Sequence, residues 1–291
     1  MKKMYHVFSE GDNVLFRENS DYIFFNNKLA SASYSNRLQM LAESIMSTHF
    51  HTLLESGDEE AVNQFILKLR KSYSPYYSNK YGFSIGDYLK ISKVEISGRE
   101  SIVRELCYIL KNPVHHYVSP FPFAYPYSSA SYMFTESFLN SDFKRVLEKS
   151  THTFADISCR QKIVLVGKDD VPEQWKINEN GMILPSSYVN INRAQAFWNN
   201  NVKQFMYDMN KSQTDARKEI IDRDILDIRS SDISDIEMCK IIDDYSKECS
   251  RHSFHHLQPS ELDNLLQMLH QQQKRRNNEQ IRRCSWGENP K

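Results

Sequence analysis

The sequence predicts an α+β protein, and three observations carry that expectation. Tyr5-His6-Val7-Phe8 and the stretches on either side of Ser47-Thr48 read as strands. Helical spacing of apolar residues lies between and after them, most clearly over residues 59–81. From about Asn192 the pattern is helical to the end of the chain and contains only one glycine, Gly287. A length of 291 residues suits two domains, divided here as 1–150 and a mainly helical 151–291 with a short β-hairpin.

Composition excludes several classes. Lys+Arg and Asp+Glu both number 37, so no global positive charge argues for nucleic acid, although a local basic groove stays open. The five cysteines are scattered, form no C-x-x-C and suggest no disulfide framework, so reduced thiols in a cytoplasmic protein are expected. The opening Met1-Lys2-Lys3-Met4-Tyr5-His6 has no apolar run fit for a signal peptide. No stretch approaches the ~18 apolar residues of a membrane span.

Taken in order, the first strand at Tyr5–Phe8 leads through a turn at Glu10-Gly11-Asp12-Asn13 to a helix starting near Ser20, with Tyr22, Phe25 and Leu29 on one face. Residues 37–46 then form a strand that turns at Ser47-Thr48 into a second strand, His49 to Glu55. Side chains alternate across a strand, so His49 and His51 share one face while Phe50 enters the core. Two such imidazoles can close on one metal ion, or can simply be half-exposed residues on a sheet.

Residues 59–81 form a helix whose stripe is Val62, Phe65, Ile66 and Leu69. Its second half interleaves Lys68, Arg70, Lys71 and Lys80 with Tyr73 and three further tyrosines. Phosphates pair with the cations and bases stack on the rings, so this composition suits single-stranded nucleic acid; it equally suits an amphipathic helix whose tyrosines cover a core edge. A capping box at Ser97 and Glu100 opens a third helix, which Pro113 is expected to stop. Its stripe is Ile102, Val103, Leu106, Ile109 and Leu110, and Tyr108 lies well off it. Tyr108 and Asn112, four apart, are neighbours on one helix face. Glu105, about a turn before Tyr108, is a candidate modulator of it but reads first as a solvated helix residue.

These residues resemble the HUH single-tyrosine transposases, most closely the REP-associated type, over roughly residues 4–150. Four pieces carry the resemblance: Met46-Ser47-Thr48-His49-Phe50-His51-Thr52-Leu53, Tyr108-Ile109-Leu110-Lys111-Asn112-Pro113-Val114, Tyr125-Pro126-Tyr127-Ser128-Ser129, and the opening from Tyr5 to Tyr22. The resemblance implies a ferredoxin-like antiparallel sheet with helices on one face. It implies that His49, His51 and Asn112 bind Mg²⁺ or Mn²⁺. It further implies that Tyr108 attacks a phosphodiester of single-stranded DNA, hairpin-containing in this family, giving a 5′-phosphotyrosine and a free 3′-OH. A phosphotyrosine ester retains the bond energy for rejoining. The resemblance leaves open whether Tyr108 serves its own chain or a partner's, so a homodimer is among the expected partners.

The chain departs from the pattern at Thr48, where the family usually has Asn, and at Asp87, where positive charge is expected. Residues 1–150 hold 17 basic and 16 acidic side chains, a small excess for phosphate contacts. A catalytically weakened, domesticated DNA-binding regulator with the same fold is therefore the alternative to an active enzyme.

In the second half, Lys162–Val166 reads as a strand or short buried segment, and Asn180-Gly181 as a hairpin turn. Leu262, Leu265, Leu266 and Leu269 mark a helix. The basic stretch with Arg275 and Arg276 after it is faintly similar to a helix-turn-helix, a second candidate DNA contact. His252, His255 and His256 read as surface residues, since no further ligand spacing accompanies them.

Overall fold

The computed structural model describes residues 2–86, 88–116, 118–135, 152–220, 233–251, 253–271 and 278–286. The chain begins β1 (Lys3–Glu10), α1 (Asn19–Ser35), β2 (Gln39–Ile45), β3 (Phe50–Ser56), α2 (Glu59–Tyr81), β4 (Lys90–Ile96) and α3 (Arg99–His115). The four strands form one antiparallel sheet in the order β2-β3-β1-β4. Across the central pair His6 faces Leu53 and Phe8 faces His51.

Helices cover both faces of this sheet, not one as the sequence suggested. Every residue of β3 is buried, and successive side chains must point to opposite sides. Phe50 and Leu54 join Tyr5 and Val7 beneath α1 and α2, whereas Leu53 joins Met4 and Leu41 beneath Ile102, Leu106 and Leu110 of α3. A central strand buried at both parities requires cover on both sides, and α3 supplies the second layer.

The ends of α3 also differ from expectation. Gly98, at φ +83°, is its N-cap, and no Ser97–Glu100 capping box forms. Pro113 lies inside the last turn. There it forfeits only one backbone bond, and the amides of His116, Val118 and Ser119 close the end onto Asn112 O and Pro113 O. α2 is bounded as predicted, ending at Gly82 in the left-handed conformation.

Tyr73 and Tyr77 of α2 are buried, and Lys68, Arg70 and Lys80 have partners within the chain. Tyr73 is buried, and its hydroxyl donates 2.6 Å to Leu15 O. It cannot stack on a base. Lys68 pairs with Asp169 at 2.6 Å, and Lys80 with Asp21 and Glu18. Arg70 donates to Ile91 O, while Lys71 is exposed. The helix lies on the α1 side of the sheet, away from the histidine face, and its buried tyrosines form a core edge. Its stripe positions recur every three or four residues, Val62, Phe65, Leu69, Tyr73 and Tyr77, and the tyrosines extend that stripe. Tyr73→Phe is expected to cost about 1–3 kcal/mol in urea unfolding, because Leu15 O is left without its buried donor.

Residues after 151 share these cores. β5 (His152–Thr153) pairs with β6 (Lys176–Ile177), and Gly181, at φ +80°, makes the predicted turn, bringing Ile183 opposite Ile177. Between them, 159–166 is a helix, α4 (Cys159–Val166), rather than the strand or buried segment expected. Its capping box, Ser158 with Gln161, was the overlooked signal. Ile163 and Val164 are exposed on it. Two short helices, α5 (Pro185–Tyr188) and α6 (Ile191–Gln195), lead to α7 (Val202–Ile220). Trp198 and Phe205 pack with Leu106 and Leu110 of α3. Helices α8 (Asp235–Glu248), α9 (Pro259–Gln271) and α10 (Asn278–Ser285) enclose a further core. Val14, from the β1–α1 connection, inserts into it. The boundary at 150/151 is thus not a boundary between cores. Arg275 and Arg276, between α9 and α10, lie outside the described residues, as does His252. Among the described residues no helix is long and apolar enough to cross a membrane.

Candidate active site

His49 ends the β2–β3 turn and His51 is the second residue of β3. Phe50 between them is fully buried against Phe25 of α1, with ring centroids 4.8 Å apart. That burial turns His51 toward α3. The two imidazole centroids are 5.0 Å apart. The turn itself is braced. Ser47 O accepts the amides of Leu15 and Phe16, and Ser47 Oγ donates 2.6 Å to Asp235 of α8. The Tyr125–Ser129 segment runs beside β2: Tyr125 OH donates to Ile45 O, and Ser128 Oγ to Glu43 O.

Helix α3 brings its polar stripe over this pair. Glu105, Tyr108, Asn112 and His115 follow at spacings of three, four and three, a single helix face. Asn112 Oδ1 lies 3.1 Å from His49 Nε2, and the Tyr108 ring 5.1 Å from the His51 ring. The four residues singled out from the sequence, His49, His51, Tyr108 and Asn112, therefore meet at one place. Tyr108 is 38% exposed, so its ring is open to a substrate.

Sequence reasoning overlooked three neighbours, His6, His115 and His116, and set a fourth, Glu105, aside. His6 of β1 approaches His51 Nδ1 through Nε2 at 2.9 Å and Glu105 Oε1 through Nδ1 at 2.8 Å. Glu105 is thus not the solvated residue expected. His116 stacks edge-on to His49 at 4.6 Å, and His115 lies 5.8 Å from the Tyr108 ring. The signal for His6 was its parity with Met4 and Phe8 on β1. For His115 and Glu105 it was the stripe they share with Tyr108. Thr48, the departure noted above, bonds His49 Nδ1 through Oγ1 at 2.8 Å and so fixes the ring from behind.

Burial sets the protonation of the cluster. It holds the His49 imidazole down to about 3, helped by the charge of His116. It holds His51 down to about 2, with His49 and His6 adding to the effect, and His115 down to about 4. The Tyr108 phenol is raised by burial and by the Glu105 carboxylate, while the Asn112 amide acts in the opposite sense. Among the described residues no three His, Cys, Asp or Glu side chains are arranged to hold a metal ion. The set is instead two imidazoles and an amide. Its chemistry fits a divalent ion: the rings are neutral, and the Asn112 amide oxygen lies beside His49.

These depressed histidines make stability pH-dependent. Each takes up a proton in the unfolded chain near pH 6.5 but resists it when folded, so stability is lost as pH falls below about 6.5. The expected slope is about 1.4 kcal/mol per pH unit for each histidine. Glu43, buried on β2 and pushed up to about 8, works in the opposite sense. The histidine contribution is therefore read as the difference between wild type and a His49→Gln/His51→Gln variant in urea melts at pH 7 and pH 5, the variant losing less on acidification.

No family model matches the chain, and no curated protein matches it. Among solved structures it is similar to a REP-associated tyrosine transposase bound to a REP hairpin, at 12% identity and a TM-score of 0.38, over 48% of this chain and 82% of that one.

Proposed function

We propose that this protein is a metal-dependent, transposase-like enzyme that cleaves and rejoins single-stranded DNA through Tyr108. The observation that carries this reading is the convergence of an accessible tyrosine with two neutral histidines and a buried asparagine at one face of an antiparallel sheet. The strand order β2-β3-β1-β4 suits a ferredoxin-like fold. His49, His51 and Asn112 Oδ1 would hold Mg²⁺ or Mn²⁺, which when bound polarises a phosphate and stabilises charge on a leaving oxygen.

The chain's own residues do the rest. The Tyr108 oxygen forms a bond to phosphorus, the bond from phosphorus to the 3′-oxygen breaks, and that oxygen takes a proton from solvent and leaves as a 3′-OH. The product is a 5′-phosphotyrosine, and attack by a second 3′-OH reverses the step. Burial makes the phenol a weak acid, so a proton acceptor is required. His115 suits that role: it is neutral, beside the ring, and its Nε2 has no hydrogen-bond partner. Hairpin-containing DNA and action as a homodimer belong to the same proposal through the sequence resemblance.

One observation favours a second reading, a weakened DNA-binding regulator. Two cations of α2 are spent on internal partners, Lys68 on Asp169 and Lys80 on Asp21. Incubation of the protein with single-stranded DNA from the flanks of its own gene and Mn²⁺, followed by a denaturing gel, separates the two. A band shifted by the mass of the DNA supports the enzyme. Retained DNA binding without such a band supports the regulator.

A further inference from the structure

We infer that Glu105 and His6 form a positioning relay that fixes the tautomer of His51 and so presents its Nε2 lone pair to the metal; this rests on the metal-site reading above. The relay follows from donor and acceptor chemistry. Glu105 Oε1 lies 2.8 Å from His6 Nδ1. A carboxylate only accepts, so Nδ1 of His6 carries the proton. The other nitrogen of a neutral His6, Nε2, is then an acceptor, and it lies 2.9 Å from His51 Nδ1. The bond between them requires the proton of His51 to sit on Nδ1. Its Nε2 is left bare, which is the form a metal takes.

The two ligand histidines differ in this respect. His49 Nε2 faces the Asn112 amide oxygen, which only accepts, so in the metal-free protein the His49 proton sits on Nε2 and Nδ1 accepts from the Thr48 hydroxyl. For His51 the constraint begins at the Glu105 carboxylate and passes through His6. The packing supports it. His6 and His51 are stacked at 5.0 Å and Phe8 covers His51 at 6.0 Å, so neither ring is free to turn. The register places His6 diagonal to His51 across β1 and β3, within reach of a long side chain. Glu105 belongs to α3, so the relay also ties the helix that bears Tyr108 to the strand that bears the ligand.

The test reads the tautomer directly in the full-length, metal-free protein. Long-range ¹H–¹⁵N correlation of the histidine rings, with the His51 signals assigned by their loss in His51→Gln, is expected to show a protonated Nδ1 and a bare Nε2. Glu105→Gln, whose amide can donate as well as accept, is expected to split those signals between two tautomers. His6→Phe is expected to release His51 altogether and to weaken Mn²⁺ binding, measured by calorimetry, about 10–100-fold. A His51 ring protonated on Nε2 in the wild type overturns the relay, and so does a Glu105→Gln protein with unchanged ring signals. The wild-type spectrum needs no variant to fold. A wild type with the expected tautomer that binds no Mn²⁺ leaves the relay standing and overturns the metal-site reading instead.

Discussion

Tyr108→Phe is expected to abolish covalent attachment to single-stranded DNA, a drop of at least about 10³-fold in adduct formation, while leaving the fold in place. The substitution removes one oxygen. That oxygen is the only atom of the ring able to bond phosphorus, and among the described residues the next hydroxyls of the segment, Ser119 and Tyr125, are bonded to Phe121 O and Ile45 O. The ring itself stays, against His51 at 5.1 Å and His6 at 6.3 Å. Stability should therefore change by less than about 0.5 kcal/mol, as for other partly exposed sites. His49→Ala gives the contrasting result: it too loses the adduct, but it also loses Mn²⁺ binding by calorimetry, which Tyr108→Phe retains. An adduct persisting in Tyr108→Phe would remove this residue from the reaction and leave the histidine cluster to some other chemistry.

How much of this could be read from the sequence depends on whether the signal was local. The histidine strand, the helix over 59–81 and the pairing of Tyr108 with Asn112 are local patterns, and each is found where periodicity placed it. The two-sided cover of the sheet was also written in β3, whose buried residues include His51, Thr52 and Glu55. Those polar residues masked the run. The α2 tyrosines misled for the opposite reason: their composition suited a nucleic-acid face, but their spacing continued the apolar stripe, and spacing decided the outcome. His6 and Glu105 had local signals of face and stripe, but their pairing is a contact between residues about a hundred positions apart. A histidine on a strand and a glutamate on a helix are each unremarkable until β1 and α3 are brought together. The same holds for Ser47 and Asp235, which join the ligand-bearing turn to α8.

The contribution of the second half of the chain can be tested at one residue. Trp198→Ala is expected to destabilise the protein by about 3–5 kcal/mol, a large share of the 5–15 kcal/mol that domains usually possess. Trp198 is almost wholly buried, packs on Phe205 at 5.0 Å and belongs to the core formed with Leu106, Ile109 and Leu110 of α3. Its indole N–H donates to Asp208 at 3.1 Å, and that partner is lost with it. A second tie lies close by, the buried Lys111 Nζ donating 2.8 Å to Met209 O of α7. Helix α3 is thus clamped between the sheet and residues 196–209, and it carries both Tyr108 and Asn112. Loosening its outer side should reach the site without touching it: Mn²⁺ affinity and adduct yield should fall together with the urea midpoint. Truncation after residue 135 removes Ala194, Trp198, Phe205 and Met209 from the α3 core and should leave part of its apolar face exposed, a chain that aggregates or fails to fold cooperatively. A truncated chain that melts cooperatively and still forms the adduct would show that residues 152–291 are an appendage after all. The packing of Trp198 and Phe205 on the tyrosine helix argues that they are part of its support.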